Sequence, residues 1–330
     1  MNQRIPCFWG QYDHFHKQFL TADFSPRKYF RWQKGDLSLV LMDCPDLNSL
    51  KSFIDVGQYI RSQGLSTPEI IEADTESGYL LLEDFGDSTF TKVLQDSLGR
   101  EQYIYKSAVD VLVHLQERTE APLPFLKIYN TDFGLNKVRQ FLTYYYPKVM
   151  DEDASNAAED DFINVWTKAL ELALQTKKSI FLRDYHVDNL MDLPERPAPK
   201  NIGLLDFQDA VWAPVAGDLV SLLGDARREI SKDLTELMWK RFLDAHPKGD
   251  HQEIYIAGNI LSAVRQVRIL GLFTRAASER GDKRFLNRIP HLWNLFEKCC
   301  TIEELRPVKQ WFDINVPQLK RVIPNIASYT

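Results

Sequence analysis

Leu182-Arg183-Asp184-Tyr185-His186-Val187-Asp188-Asn189, followed by Leu204-Leu205-Asp206-Phe207, is the stretch on which the reading of this chain turns. Asp184 stands five residues before Asn189, and Asp206 follows seventeen residues later at the end of a short apolar strand. Two carboxylates and an amide in this pattern suit phosphoryl transfer, which asks little covalent chemistry of a protein. It needs a carboxylate to orient or deprotonate an acceptor hydroxyl, and oxygen ligands that hold magnesium against phosphates. The D-x-x-x-x-N spacing alone is weak, because Asp and Asn in a loop commonly hydrogen-bond their own backbone. The surroundings strengthen it. Strands are expected at about 190–192 and 202–206, joined by a Pro-rich loop, and Ile202-Gly203-Leu204-Leu205 is apolar enough to hold Asp206 rigidly.

Working outward, residues 28–32 and 37–42 read as a hairpin turning at Lys34-Gly35-Asp36. Leu37–Met42 is apolar enough to be buried on both faces. Asp46 caps a helix whose apolar positions Leu50, Phe53, Ile54, Gly57 and Ile60 keep helical spacing, and Gly64 ends it. Two more strands follow at Thr67–Ile71 and Tyr79–Leu82. Beyond Glu83-Asp84-Phe85-Gly86-Asp87 the chain reads as helical to residue 178, near 100–118, 132–149 and 159–176, and as helical again after Asp206. Asp218 is placed to cap one of these later helices. The expected fold is α+β and bilobal: a small β-rich lobe with one main helix over 1–84, a hinge about 83–88, and a large, mainly helical lobe over 85–330.

At 330 residues with 44% hydrophobic and 26% charged side chains, the composition is that of a folded enzyme-sized chain. The net charge of −6 argues against nonspecific nucleic-acid binding. The charge is uneven, with 18 Lys+Arg against 13 Asp+Glu over residues 225–330, so this segment carries +5 and residues 1–224 carry −11. Cys7, Cys44, Cys299 and Cys300 form no metal-ligand spacing and no disulfide framework. No signal peptide and no uninterrupted apolar run of membrane-spanning length is legible, so a cytoplasmic protein without membrane or nucleic-acid partners is expected, with a monomer favoured.

The central stretch is similar to the protein-kinase pattern H-R-D-x-x-x-x-N followed by D-F-G, with Leu182 in place of the His and Gln208 in place of the Gly. The whole chain resembles the aminoglycoside phosphotransferase/choline kinase superfamily, whose motif is H-G-D-x-x-x-x-N followed by I-D-W/F. More closely, it resembles the bacterial cell-wall sugar kinases that phosphorylate N-acetylmuramate and N-acetylglucosamine at the anomeric hydroxyl. The residues carrying that likeness are Ser25–Arg31, Arg183–Met191, Leu204–Ala210, Asp218–Leu223 and Arg268–Arg275. The resemblance implies ATP and Mg2+ as co-substrate and cofactor, Asp184 as catalytic base, and Asn189 and Asp206 as metal ligands. Arg183, before the base, neutralises charge there or forms a structural ion pair. His186 is expected to brace the loop.

Two departures stand out. There is no Gly-rich phosphate loop; Asp23–Arg31 takes its place, and strand alternation sets Arg27, Tyr29 and Arg31 on one face with Ser25 nearby. There is also no strand lysine: Met42 or Asp43 falls where a kinase places the Lys that grips the α- and β-phosphates. Arg27 or Arg31 is expected to supply that charge, and the backbone of Glu83, Asp84 and Phe85 to face the adenine. Asp209 is a further candidate at the metal or acceptor. The basic balance of 225–330, with Arg268 and Arg275 seven apart on one helix face, favours a small acceptor bearing a carboxylate, such as a lactyl-bearing amino sugar, over a polycation. An aminoglycoside- or choline-type kinase and a nucleotide-binding pseudokinase are the alternatives. A dearth of aromatic residues on that helix weighs against choline.

Overall fold

The structure is a computed structural model that describes residues 6–20 and 26–326. Ser25, one of the expected nucleotide-binding residues, lies outside the described residues.

The chain divides into two compact units that are not consecutive halves. One joins the described residues up to Arg118 with Leu182–Ala210; the other joins Thr119–Phe181 with the residues from Val211 onward. The first unit is built on a five-stranded antiparallel sheet in the order β1-β2-β3-β5-β4. Its strands are β1 His16–Leu20, β2 Lys28–Lys34, β3 Leu37–Asp43, β4 Ile70–Asp74 and β5 Tyr79–Glu83. Strand β1 was not legible in the sequence, since His16-Lys17-Gln18-Phe19-Leu20 does not alternate cleanly and lies at the sheet edge. In the register, Trp32 faces Leu39, and Leu41 faces Leu81. These side chains form one buried cluster with Phe8 and Phe15. Trp9 closes over Trp32 edge to face at 5.1 Å. The expected two-sided burial of Leu37–Met42 belongs instead to β5: Leu37 is 51% exposed, whereas Tyr79 to Leu82 are all buried, although both strands lie inside the sheet.

Helix α1 (Leu47–Ser62) starts at Asp46, whose carboxylate accepts the Asn48 amide at 3.0 Å. Helices α2 (Phe90–Asp96) and α3 (Glu101–Glu117) follow. The hairpin of β8 (Leu190–Asp192) and β9 (Ile202–Leu204) completes this unit; β9 ends two residues before Asp206. The hairpin is tied to the rest of the unit at both edges, since Leu204 N donates to the Ser66 carbonyl at 2.8 Å and Asp192 N to that of Ser88 at 2.8 Å.

The second unit is helical around a three-stranded sheet of β6 (Lys127–Ile128), β10 (Val211–Pro214) and β7 (Lys178–Phe181). These strands correct the expectation of helix throughout. Each is two to four residues long, too short for a periodic signal. Helix α4 (Thr131–Gln140) passes through a π-turn at Phe141–Tyr145 into α5 (Tyr146–Met150), where the sequence predicted one continuous helix. Helices α6 (Asn156–Ala173), α7 (Gly217–Leu223), α8 (Lys232–Asp244), α9 (His251–Arg280), α10 (Ile289–Cys299) and α11 (Arg306–Asn315) complete the unit. Asp218 is not the cap of α7, as expected; Ala216 holds that position, and Asp218 lies buried in the first turn.

The apolar sequence around α9 is long enough to cross a membrane, but 67% of its most apolar window is buried within the fold. It is a core helix. Phe141, Tyr145, Phe162, Trp166, Trp293 and Phe312 belong to the cluster around it, together with Cys299 and Cys300. Gly271 lets α9 approach the end of α4 closely: a Cβ there would stand 2.4 Å from the Gln140 carbonyl oxygen. Backbone cannot yield as a side-chain tip does. The substitution Gly271→Ala is therefore expected to lower the unfolding free energy by about 1–3 kcal/mol, measured by chemical denaturation, whereas Gly249→Ala, with open space around it, is expected to change little.

Candidate active site

Asp206 stands just past the end of β9 with φ +55°, and Arg183, beside Asp184, has φ +76°. Left-handed backbone is tolerated by Asp and costly for Arg, and such residues persist where the surroundings over-determine them, at about 1–3 kcal/mol each. Phe207 supplies part of that constraint. It is 1% exposed, packs on Phe53 of α1 at 4.9 Å between ring centroids, and lies 3.0 Å from where a Cβ on Gly57 would be. The absence of a side chain at Gly57 is what lets this ring lie against α1. Tyr185 adds a second anchor, its hydroxyl donating to the Ala108 carbonyl in α3 at 2.9 Å.

With the backbone fixed, the side chains converge. Arg27, only 7% exposed, donates from Nη2 to Oδ1 of Asp206 at 2.8 Å and from Nη1 to the Ser49 hydroxyl on α1 at 3.3 Å. Gln208 Nε2 donates to the same Oδ1 at 2.8 Å. Burial raises the Asp206 pKa above the usual carboxylate range, and the neighbouring charge of Asp184 raises it further, against the pull of Arg27 and Gln208. Two carboxylates are thus held close enough to feel each other, beside one guanidinium. Burial also pushes the Tyr29 phenol to about 12.

Asn189 joins them from the loop. Its Nδ2 donates to the Asp184 carbonyl at 2.9 Å and lies 3.3 Å from His186 Nε2, while Leu205 N donates to the Asn189 carbonyl at 3.0 Å. With Nδ2 committed, Oδ1 is the Asn189 atom left for a cation. His186 is buried and braces the loop, and the Thr91 hydroxyl donates to Asp188, tying it to α2.

The site fits a hard divalent cation. Among the described residues no three His, Cys, Asp or Glu side chains gather as a metal cluster, and the oxygen donors brought together here are those of Asp184, Asp206 and Asn189. Magnesium is commonly held this way, by one or two carboxylates with phosphate and water oxygens completing the shell.

The remaining candidates separate. Arg27 reaches Asp206, but Arg31 does not. It is committed to the segment after β5, with Nε 2.6 Å from Asp84 Oδ2, Nη1 2.9 Å from Asp87 and Nη2 3.2 Å from the Gly86 carbonyl. Ser38 also donates to Asp84 at 2.5 Å. Burial works against the Asp84 charge, but Arg31, Ser38 and the Gly86 amide outweigh it and hold its pKa below the ordinary range. Glu83 pairs with Arg196, whose guanidinium also lies over the Phe85 ring. Phe85 in turn packs where a Cβ on Gly203 would intrude at 2.7 Å. Three side chains of the expected hinge are therefore framework.

Arg183 donates to the Asp209 carbonyl at 3.1 Å and lies 3.7 Å from its carboxylate, so these two candidates meet as an ion pair. Met42, at the position of a strand lysine, is fully buried. On α9, Arg268 is half-buried, whereas Arg275 pairs with Glu279 at 2.8 Å and lies over the Tyr144 ring. Missed in the sequence were Ser49 and Gln208; the replacement of Gly by Gln after Asp206-Phe207 was the available signal for the latter.

Comparisons with known proteins bear on the family and the fold. The model of the phosphotransferase enzyme family matches residues 17–251. An N-acetylmuramate/N-acetylglucosamine kinase from Caulobacter vibrioides is 30% identical, over 91% of this chain and 92% of that protein. Among solved structures, a choline/ethanolamine kinase family protein from Mesorhizobium loti superposes with a TM-score of 0.61 at 13% identity, over 94% of this chain and 96% of that one. An ADP-bound aminoglycoside phosphotransferase gives 0.60 at 11% identity, over 88% and 96%. These likenesses show the fold, the bilobal α+β architecture of kinase-like phosphotransferases.

The contrast between the two arginines is measurable without substrate. Arg31→Met is expected to accelerate hydrogen exchange of the Gly86 amide, which donates to Asp84 at 2.8 Å, and Arg27→Met to leave it unchanged. Equal protection of that amide in both variants would remove the structural role given to Arg31.

Proposed function

We propose, since the chain belongs to the phosphotransferase enzyme family, that it transfers the γ-phosphoryl group of ATP to the anomeric hydroxyl of an amino sugar, N-acetylmuramate or N-acetylglucosamine, in the cytoplasmic recycling of cell-wall sugars. The observation that carries the reading is the meeting of Asp184, Asp206 and Arg27 around one point, beside Asn189. The Caulobacter vibrioides relative supports the acceptor class, and the +5 balance of residues 225–330 suits an acceptor carboxylate better than a polycation.

In this reading residues 1–84 form the nucleotide lobe and residues 85–330 carry the catalytic loop and acceptor site, with Arg268 as an acceptor contact. Asp184 orients the acceptor hydroxyl and takes its proton as the oxygen attacks phosphorus. Its carboxylate is suited to that duty, since it has no hydrogen-bond or ion-pair partner among the described residues. Asp206 and Asn189 would hold Mg2+, which when bound offsets charge on the phosphate oxygens. Arg27 supplies the cationic grip that Met42 cannot, because it is the buried guanidinium already turned toward Asp206. Arg31, Asp84 and Ser38 stiffen the segment whose backbone faces the adenine, and Arg183 and Asp209 hold the loop around Asp184.

The direct test is ADP release with N-acetylmuramate, N-acetylglucosamine, choline and kanamycin as acceptors. Turnover with the two sugars is expected, and turnover with choline or kanamycin alone would overturn the acceptor. The substitution Asp184→Asn is expected to lower turnover by roughly a hundredfold to ten-thousandfold with ATP binding little changed. Near-normal turnover would remove Asp184 as the base. Arg27→Met is expected to raise KM for ATP; an unchanged KM and turnover would return the grip to another residue.

A further inference from the structure

Gln208 stands where the related kinase motif has glycine, and its side chain is as buried as a core residue, 4% exposed. A carboxylate oxygen accepts hydrogen bonds and cannot donate them, so the contact at 2.8 Å between Gln208 and Asp206 Oδ1 fixes the amide orientation. Nitrogen faces the carboxylate and oxygen faces away from it. That oxygen, Oε1, is buried and has no hydrogen-bond partner among the described residues. A buried amide oxygen left in this state costs about 1–3 kcal/mol unless something donates to it.

Asp206 shows the complementary asymmetry. Its Oδ1 accepts from both Arg27 and Gln208, each at 2.8 Å, whereas its Oδ2 accepts from no donor among the described residues. A carboxylate held this way has one oxygen saturated by positive or partly positive donors and one oxygen left for a cation. The two donors on Oδ1 hold the carboxylate in this orientation.

We propose that Gln208 is a positioning residue for the metal ligand Asp206: together with Arg27 it saturates Oδ1, which leaves Oδ2 as the oxygen for the cation. The inference deepens the phosphotransferase reading and rests on Asp206 holding the metal. Glycine at this place has no side chain to donate to Oδ1. The amide also does something a carboxylate at 208 could not, since a carboxylate would meet Asp206 as a like charge with no proton to donate.

The test measures the metal rather than turnover. Mn2+ bound to the enzyme–ADP complex is titrated by the electron paramagnetic resonance signal of free Mn2+, with thermal unfolding as a control. Gln208→Met keeps the volume without donor or strong acceptor. Gln208→Asn keeps the amide but withdraws it by one methylene. Both variants are expected to bind Mn2+ about tenfold more weakly or worse, the usual cost of removing a group that orients a metal ligand. The ADP affinity measured without metal is expected to stay near that of the unsubstituted protein. Mn2+ affinity within twofold in either folded variant would overturn the proposal, even where its thermal midpoint falls. If the unsubstituted protein itself binds no Mn2+ with ADP, it is the metal assignment of Asp206 that fails, an outcome distinct from equal binding by all three proteins.

Discussion

The ion pair between Arg27 and Asp206 is the contact on which the geometry of the site depends. It joins the start of β2 to the end of β9 across 179 residues of sequence, and it does so with a guanidinium that is almost wholly buried. A buried guanidinium without a carboxylate partner is costly, and a half-buried carboxylate beside another carboxylate is costly too. Each group therefore makes the other's position tolerable. Removing either would strand a charge, so the fold holds this pair in register and Asp184 and Asn189 are built around it.

Under the proposed function, this arrangement is what stands in for a lysine on the third strand. In Leu37–Asp43 three side chains, Leu39, Leu41 and Met42, are buried, and Met42 is packed with no exposure. Arg27 enters from just before β2, and its longer, forked side chain reaches Ser49 on α1 and Asp206 at once. An ammonium is a point charge and could not hold both directions in one plane. Arg31, four residues on, has the same charge but a different task. Three acceptors of the segment after β5, the Asp84 and Asp87 carboxylates and the Gly86 carbonyl, take up its guanidinium and pin that segment.

Close backbone approaches set the rest. Gly57 admits the Phe207 ring against α1, Gly203 admits Phe85, and Gly271 admits α9 against the end of α4. The first two lie within the unit that carries Asp184, Asn189 and Asp206: one seats the ring next to Asp206 and the other lies in the hairpin itself. Gly271 serves the other unit, where a single long helix and aromatic rings from the neighbouring segments share one core. Precision at the site thus comes from residues with no side chain as much as from those with charge.

The sequence alone determined the chemical inventory and the coarse architecture. The spacing of Asp184, Asn189 and Asp206, the α1 helix with its Asp46 cap, and strands β2, β3, β4 and β5 were legible because each is written in local periodicity or in a motif. Strands β1, β6, β7 and β10 were not legible, because they are short or at an edge and exist only through their pairing partners. The sequence offered Arg27 and Arg31 as equals on one strand face, and it treated Gln208 merely as a departure from glycine. Tertiary structure decided between the arginines, since which carboxylate each one meets depends on chain segments more than fifty residues away. Local sequence records which groups are present; only long-range packing fixes which of them share a charge.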